Sequence, residues 1–167
     1  DAAGGSLGLE TAQLNRDFPA GAGRAGNQVD YLRGKGLFVT DPGEAASLPA
    51  YPALDDESAS LEDRARAYLH ANCSNCHRPG GTTQSTMDLR ASQTVSGMNA
   101  CNVDPLQGDF GHAGAKLLLP GDAKDSMLVV RMHLLVEGRM PDVASSLVDS
   151  QGAHRVEQWI DSLTACP

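Results

Sequence analysis

The chain has 167 residues, a formal net charge of −8 and only three Phe, three Tyr and one Trp. That length suits one domain, or one domain with a long extension. The acidic balance excludes a nucleic-acid backbone as partner and favours a protein with a basic patch, and no apolar run approaches the roughly 18 residues of a transmembrane helix.

The chain starts at Asp1 with no initiator Met and no signal peptide, which reads as a processed form or a piece of something longer. Residues 1–26 are rich in Gly and Ala and predict an extended arm, with Leu7, Leu9, Leu14 and Phe18 as its apolar anchors. A short helix is expected at 27–33: Asn27 suits an N-cap, Asp30 follows in the first turn, and Gly34 and Gly36 are stops. Residues 40–59 carry Pro42, Pro49, Pro52 and the acidic run Asp55-Asp56-Glu57, a solvated linker. The expected plan is an extension over 1–59 and a helical domain over 60–167.

A strong helix is expected from Ser60, which forms a capping box with Asp63. Leu61, Ala65, Tyr68 and Leu69 fall on one face, and that face runs into Cys73. His70 is assigned to the exposed side. Residues 79–111 read as loop, and Pro120-Gly121-Asp122 as a turn. A helix follows from Asp125 or Ser126, with Leu128, Met132 and Leu135 inward and Gly138 as its stop. The last helix begins near Asp149 or Ser150 and turns Val156, Trp159, Ile160 and Leu163 to the core. There is no internal repeat and no alternating strand pattern, so the predicted class is all-α with long loops.

Cys73-Ser74-Asn75-Cys76-His77 carries the chemistry. Two thiols at i and i+3 of a helical turn face the same way and can both reach the vinyl groups of one haem, and the adjacent imidazole can bind its iron. A zinc site would need a second pair of ligands at matched spacing, and Cys101 and Cys166 are isolated. A redox dithiol would need a βαβ setting, and a disulfide across two residues is strained. One covalent haem c is the expectation, and its attachment implies a periplasmic or other extracytoplasmic address, where disulfides persist. There Cys101 and Cys166 would pair and close a long loop worth roughly 4 kcal/mol; the alternative is two buried free thiols.

Methionine or histidine usually completes the iron of a carrier, whereas an open position permits catalysis or gas binding. Met140 fits best, because Pro141 fixes the backbone of a loop between two helices. Met132 and Met127 read as packing, and Met87 and Met98 lie in a polar loop without a fixing element. His112, between Gly111 and Gly114, is the substitute ligand. The Pro79 carbonyl is placed to accept the imidazole N–H. Arg131 or Arg139 is placed to pair with a haem propionate, and Arg78 equally so.

These residues resemble class I cytochromes c: Cys73 to His77, a Met-Pro after a Gly, and a final helix bearing an aromatic. The resemblance implies a cytochrome c fold, with helix 60–72 crossing helix 150–163, Tyr68 or Ala65 near Trp159, and His77 and Met140 as axial ligands. A wider likeness is to the C-terminal cytochrome c domain of bacterial haem-binding lipoproteins. It rests on Thr11-Ala12-Gln13-Leu14-Asn15-Arg16, Tyr68-Leu69-His70-Ala71-Asn72-Cys73, His77-Arg78-Pro79-Gly80-Gly81, Met87-Asp88-Leu89-Arg90, Pro120-Gly121-Asp122, Arg139-Met140-Pro141 and Trp159-Ile160. Similar domains accompany β-propeller quinoprotein dehydrogenases. In that group Met-Pro is often followed by a second Pro, where this chain has Asp142.

The expected function is single-haem electron transfer, in a carrier or in the electron-accepting domain of a larger periplasmic dehydrogenase, and not an enzyme in its own right. A quinoprotein dehydrogenase or a terminal oxidase would be the partner, and a lipid anchor on the precursor would suit the resemblance. The alternatives are a haem peroxidase or a gas-binding sensor with a labile distal ligand.

Overall fold

A computed structural model describes residues 9–143 and 145–167. It is mostly helical, as the all-α expectation has it. The helices are α1 (Thr11–Leu14), α2 (Gln28–Gly34), α3 (Leu61–Cys73), α4 (Met127–His133) and α5 (Ser150–Ser162). Among the described residues there is no sheet, and strand-like pairing is confined to the isolated bridges Asp17–Asn27, Cys101–Leu118 and Lys116–Ser126. The chain divides into two compact units at Pro52/Ala53, ahead of the expected 59/60 boundary. Residues 53–59 go with the second unit, where the Arg64 guanidinium donates to the Leu54 carbonyl at 3.4 Å.

The first unit is more ordered than a loose arm. Asn15, at the end of α1, donates from Nδ2 to the carbonyls of Ala45 and Leu48, both at 2.9 Å. Its Oδ1 accepts from Asn27 Nδ2 at 2.8 Å. Asn27 caps α2 as expected, its Oδ1 accepting from the Val29 amide at 2.8 Å. Of the expected apolar anchors, Leu7 lies outside the described residues and Leu9 is 80% exposed. Phe18 does pack, edge-on to Tyr31 with centroids 5.4 Å apart. Leu14 is half-buried, so a polar hub and one aromatic pair share the anchoring with one of the expected leucines.

The second unit is built on the packing of α3 against α5. Ser60 caps α3: its Oγ accepts from the Asp63 amide at 3.0 Å and donates to the Asp63 carboxylate at 2.7 Å. Ala65, Leu69, Val156, Trp159 and Ile160 share one buried cluster, with Tyr68 packed against it. Gly152 makes the close approach feasible, because a Cβ there would lie 2.1 Å from Tyr68 Cζ. Asp149 joins the two helices a second time. Its carboxylate caps α5 through the Gly152 amide at 3.0 Å and accepts the Tyr68 phenol, which burial and Asp149 hold protonated well above the usual tyrosine range.

Cys101 and Cys166 form a disulfide across 65 residues. It ties the region of the Cys101–Leu118 bridge to the chain beyond α5.

The helix expected to run to Gly138 stops at His133. Arg131 presents its carbonyl to the amide of Met140 at 2.8 Å, so the last turn is closed by a returning loop rather than by another helical residue. Leu135, expected inward, is consequently half exposed. Gly138 serves that loop, at φ +90°, instead of ending the helix. No helix among the described residues is long and apolar enough to cross a membrane.

Candidate functional site

Helix α3 delivers Cys73 as its last residue, and the chain then tightens into a turn. The amides of Cys76 and His77 both donate to the Cys73 carbonyl, at 3.1 and 2.9 Å. The Gly81 amide closes on the Arg78 carbonyl at 2.9 Å. Only glycine fits there, because a Cβ on Gly81 would lie 2.0 Å from the Cys76 carbonyl oxygen. The turn is anchored from outside as well, the Leu89 amide donating to the His77 carbonyl at 2.9 Å.

Cys73 and Cys76 are free thiols. Burial, with the neighbouring Cys76, pushes the Cys73 thiol up to about 12. Cys101 and Cys166 are bonded to each other, which removes them as a second zinc pair. Among the described residues no group of three or more His, Cys, Asp or Glu is placed to hold a metal ion.

The His77 imidazole is buried, and its Nδ1 has no hydrogen-bond partner. The Pro79 carbonyl expected to accept from it does not do so here. Burial first, and the Arg131 charge second, hold His77 below its ordinary value and keep it neutral. A neutral imidazole is the form that binds a metal. Two free thiols three residues apart and a buried imidazole beside them suit a haem c, and the unpartnered Nδ1 is the one polar atom of the ring left without the expected acceptor.

Arg131, whose charge acts on His77, is bound to the Met140 loop. Its Nε donates to the Gly138 carbonyl at 2.6 Å, its own carbonyl accepts from the Met140 amide, and its guanidinium stands 5.5 Å from the centre of the Phe110 ring. It is partly desolvated, and burial lowers its pKa while Asp142 opposes the shift. Arg139 turns instead to Ser145 Oγ and the Asp142 carbonyl, both at 3.2 Å. Arg78 is exposed.

Of the other ligand candidates, Met98 and Met127 are almost wholly buried in packing and Met87 nearly so. Met87 and Met98 do have a fixing element: the Asp88 amide donates to the Met98 carbonyl at 3.0 Å. Met132 packs against the core. His112 is engaged through Nδ1 with Asp125 at 2.9 Å.

His70 overturns its expected exposure. It is buried, and its Nδ1 accepts from the Ala91 amide at 3.1 Å, which leaves its proton on Nε2. His70 thereby holds the 88–91 segment behind the Cys-x-x-Cys-His turn. The signal was present, because His70 lies three residues before Cys73 and hence on the same helical face. Asp88 is also buried and pairs with Arg90 at 2.6 Å. Phe110 was not singled out at all, and its one sequence clue is its place among Gly108, Gly111 and Gly114.

Comparison with known proteins returns no match: no family model, no curated protein and no solved structure matches this chain.

Proposed function

We propose that the second unit is a cytochrome c domain carrying one covalent haem, and that its function is electron transfer. The observation that carries this reading is the pair of free thiols set beside the buried His77 ring on a turn that α3 and Gly81 hold. Cys73 and Cys76 would hold the group covalently, and His77 and Met140 would bind its iron. When bound, haem supplies a one-electron couple whose potential depends on axial ligation and burial. Arg131 offers a desolvated cation to a propionate and holds the Met140 loop through its own carbonyl. The apolar cluster around Leu69, Leu89 and Leu128 excludes water from the Cys73 side.

The acidic surface suits a weak, salt-sensitive encounter with a basic redox partner. A periplasmic quinoprotein dehydrogenase or a terminal oxidase fits that description, and the disulfide accords with an extracytoplasmic address. The test is the absorption spectrum of the oxidised protein, which is expected to show the weak near-infrared band of a methionine–iron bond. Absence of that band, with immediate binding of cyanide or carbon monoxide, would contradict the carrier assignment and favour a peroxidase or gas sensor.

A further inference from the structure

Phe110 sits on the 104–114 segment, a strap between the Cys101 region and the bridge at Lys116. It has a left-handed backbone at φ +53°, and Gly108 at φ +82° and Gly111 at φ +89° lie on either side. An aromatic residue adopts that conformation only where its surroundings impose it. The strap is pinned just beyond the ring. The Gly111 amide donates to Asp109 Oδ1 at 3.0 Å, the His112 amide donates to the Asp109 carbonyl at 2.9 Å, and the His112 ring meets Asp125 at 2.9 Å. The ring reaches across to the Met140 loop. A Cβ on Gly138 would lie 2.3 Å from Phe110 Cε1 and 2.4 Å from Cζ, so the ring occupies the space that any other residue at 138 would need. Its face lies 5.5 Å from the Arg131 guanidinium, which donates to the Gly138 carbonyl and whose backbone accepts the Met140 amide.

The ring, the arginine and the glycine therefore form one clamp, and Met140 hangs two residues beyond it. Core packing does not account for the ring, which is 40% exposed. We propose that Phe110 is a positioning residue for the sixth ligand: it presses on Gly138 and Arg131 and so sets how readily Met140 leaves the iron and admits an external ligand. This rests on the haem assignment above, but the clamp itself is a property of the polypeptide. On this account His112 is the anchor of the strap and not a ligand.

Two readouts on the purified holoprotein test the proposal. The first is hydrogen exchange at the Met140 amide, and the second is the rate at which added imidazole binds the ferric protein. Phe110→Ala is expected to speed both by about three- to tenfold, the scale of losing one aromatic–cation contact, with α5 amides unchanged. Phe110→Tyr should restore both. If Met140 exchange is unchanged in Phe110→Ala, no clamp exists and the proposal is overturned. If exchange rises but imidazole binds at the parental rate, Phe110 orders the loop without governing the ligand, and the proposal is again overturned. A parent protein without covalent haem would instead overturn the assignment on which it rests, while the exchange measurement would still report on the clamp.

Discussion

The chain from Leu61 to Arg90, which carries His77, is fastened to the core at several points. Helix α3 packs on α5, Cys73 lies against the buried cluster, Gly81 locks the turn, and Leu89 and His70 bind it from behind. The Met140 loop differs: residues 134–143 hold no helix and no buried residue, and rest on Arg131, Gly138 and the ring of Phe110. Leu135 and Val136 in that stretch are largely exposed. A site built this way would hold its group rigidly through one half and keep the other half adjustable. For an electron carrier the fixed half limits reorganisation, while the looser half is where ligand exchange and potential are tuned.

Variants on either side can break that contrast. The largest effect belongs to the fixed side: replacing both Cys73 and Cys76 with Ala should abolish covalent haem, read as loss of haem from the denatured protein. Opening the disulfide with Cys101→Ser and Cys166→Ser should cost about 2–4 kcal/mol, measured by denaturant unfolding of the purified protein. A difference near zero would show that the 101–118 region is held without it. Gly152→Ala should cost about 1–3 kcal/mol by driving a methyl into Tyr68 at the α3–α5 crossing. On the adjustable side, Met140→Ala should remove the near-infrared band and lower the potential while leaving the unfolding midpoint of α3 and α5 nearly unchanged. An unaltered spectrum would mean that another residue ligates.

The smallest effect is a pH dependence. Hydrogen bonding to Arg90 holds the Asp88 carboxyl below its ordinary value. A group lowered by folding contributes stability above its unfolded pKa of about 4, and that contribution is lost as pH falls through the folded value. Melting temperature should therefore decline in acid less steeply in Asp88→Asn than in the parent. Equal slopes would show that the Asp88–Arg90 pair adds nothing to the clamp on the His77 turn.

The rigid half was largely legible in the sequence because periodicity and caps are local signals. Ser60 and Asp63, the apolar face from Leu61 to Leu69, and the α5 face with Val156, Trp159 and Ile160 all emerge where the spacing puts them. The Cys101–Cys166 bond followed from the compartment that the thiols implied. The adjustable half was not legible in the same way. Helix α4 stops at His133 because Met140 comes back to cap Arg131, a contact between residues nine apart that no helical pattern encodes. Phe110 acts through space on Gly138, and its strap is irregular backbone. His70 was placed on the wrong face because a histidine was weighed as a polar surface residue, although its i, i+3 relation to Cys73 pointed inward.

Covalent haem at Cys73 and Cys76 is the claim on which the rest depends, and its most direct test is the intact mass of the denatured protein after export through a c-type maturation system. The mass of the chain plus one haem is the predicted result. The mass of the bare chain, with Cys73 and Cys76 both open to alkylation, would contradict it.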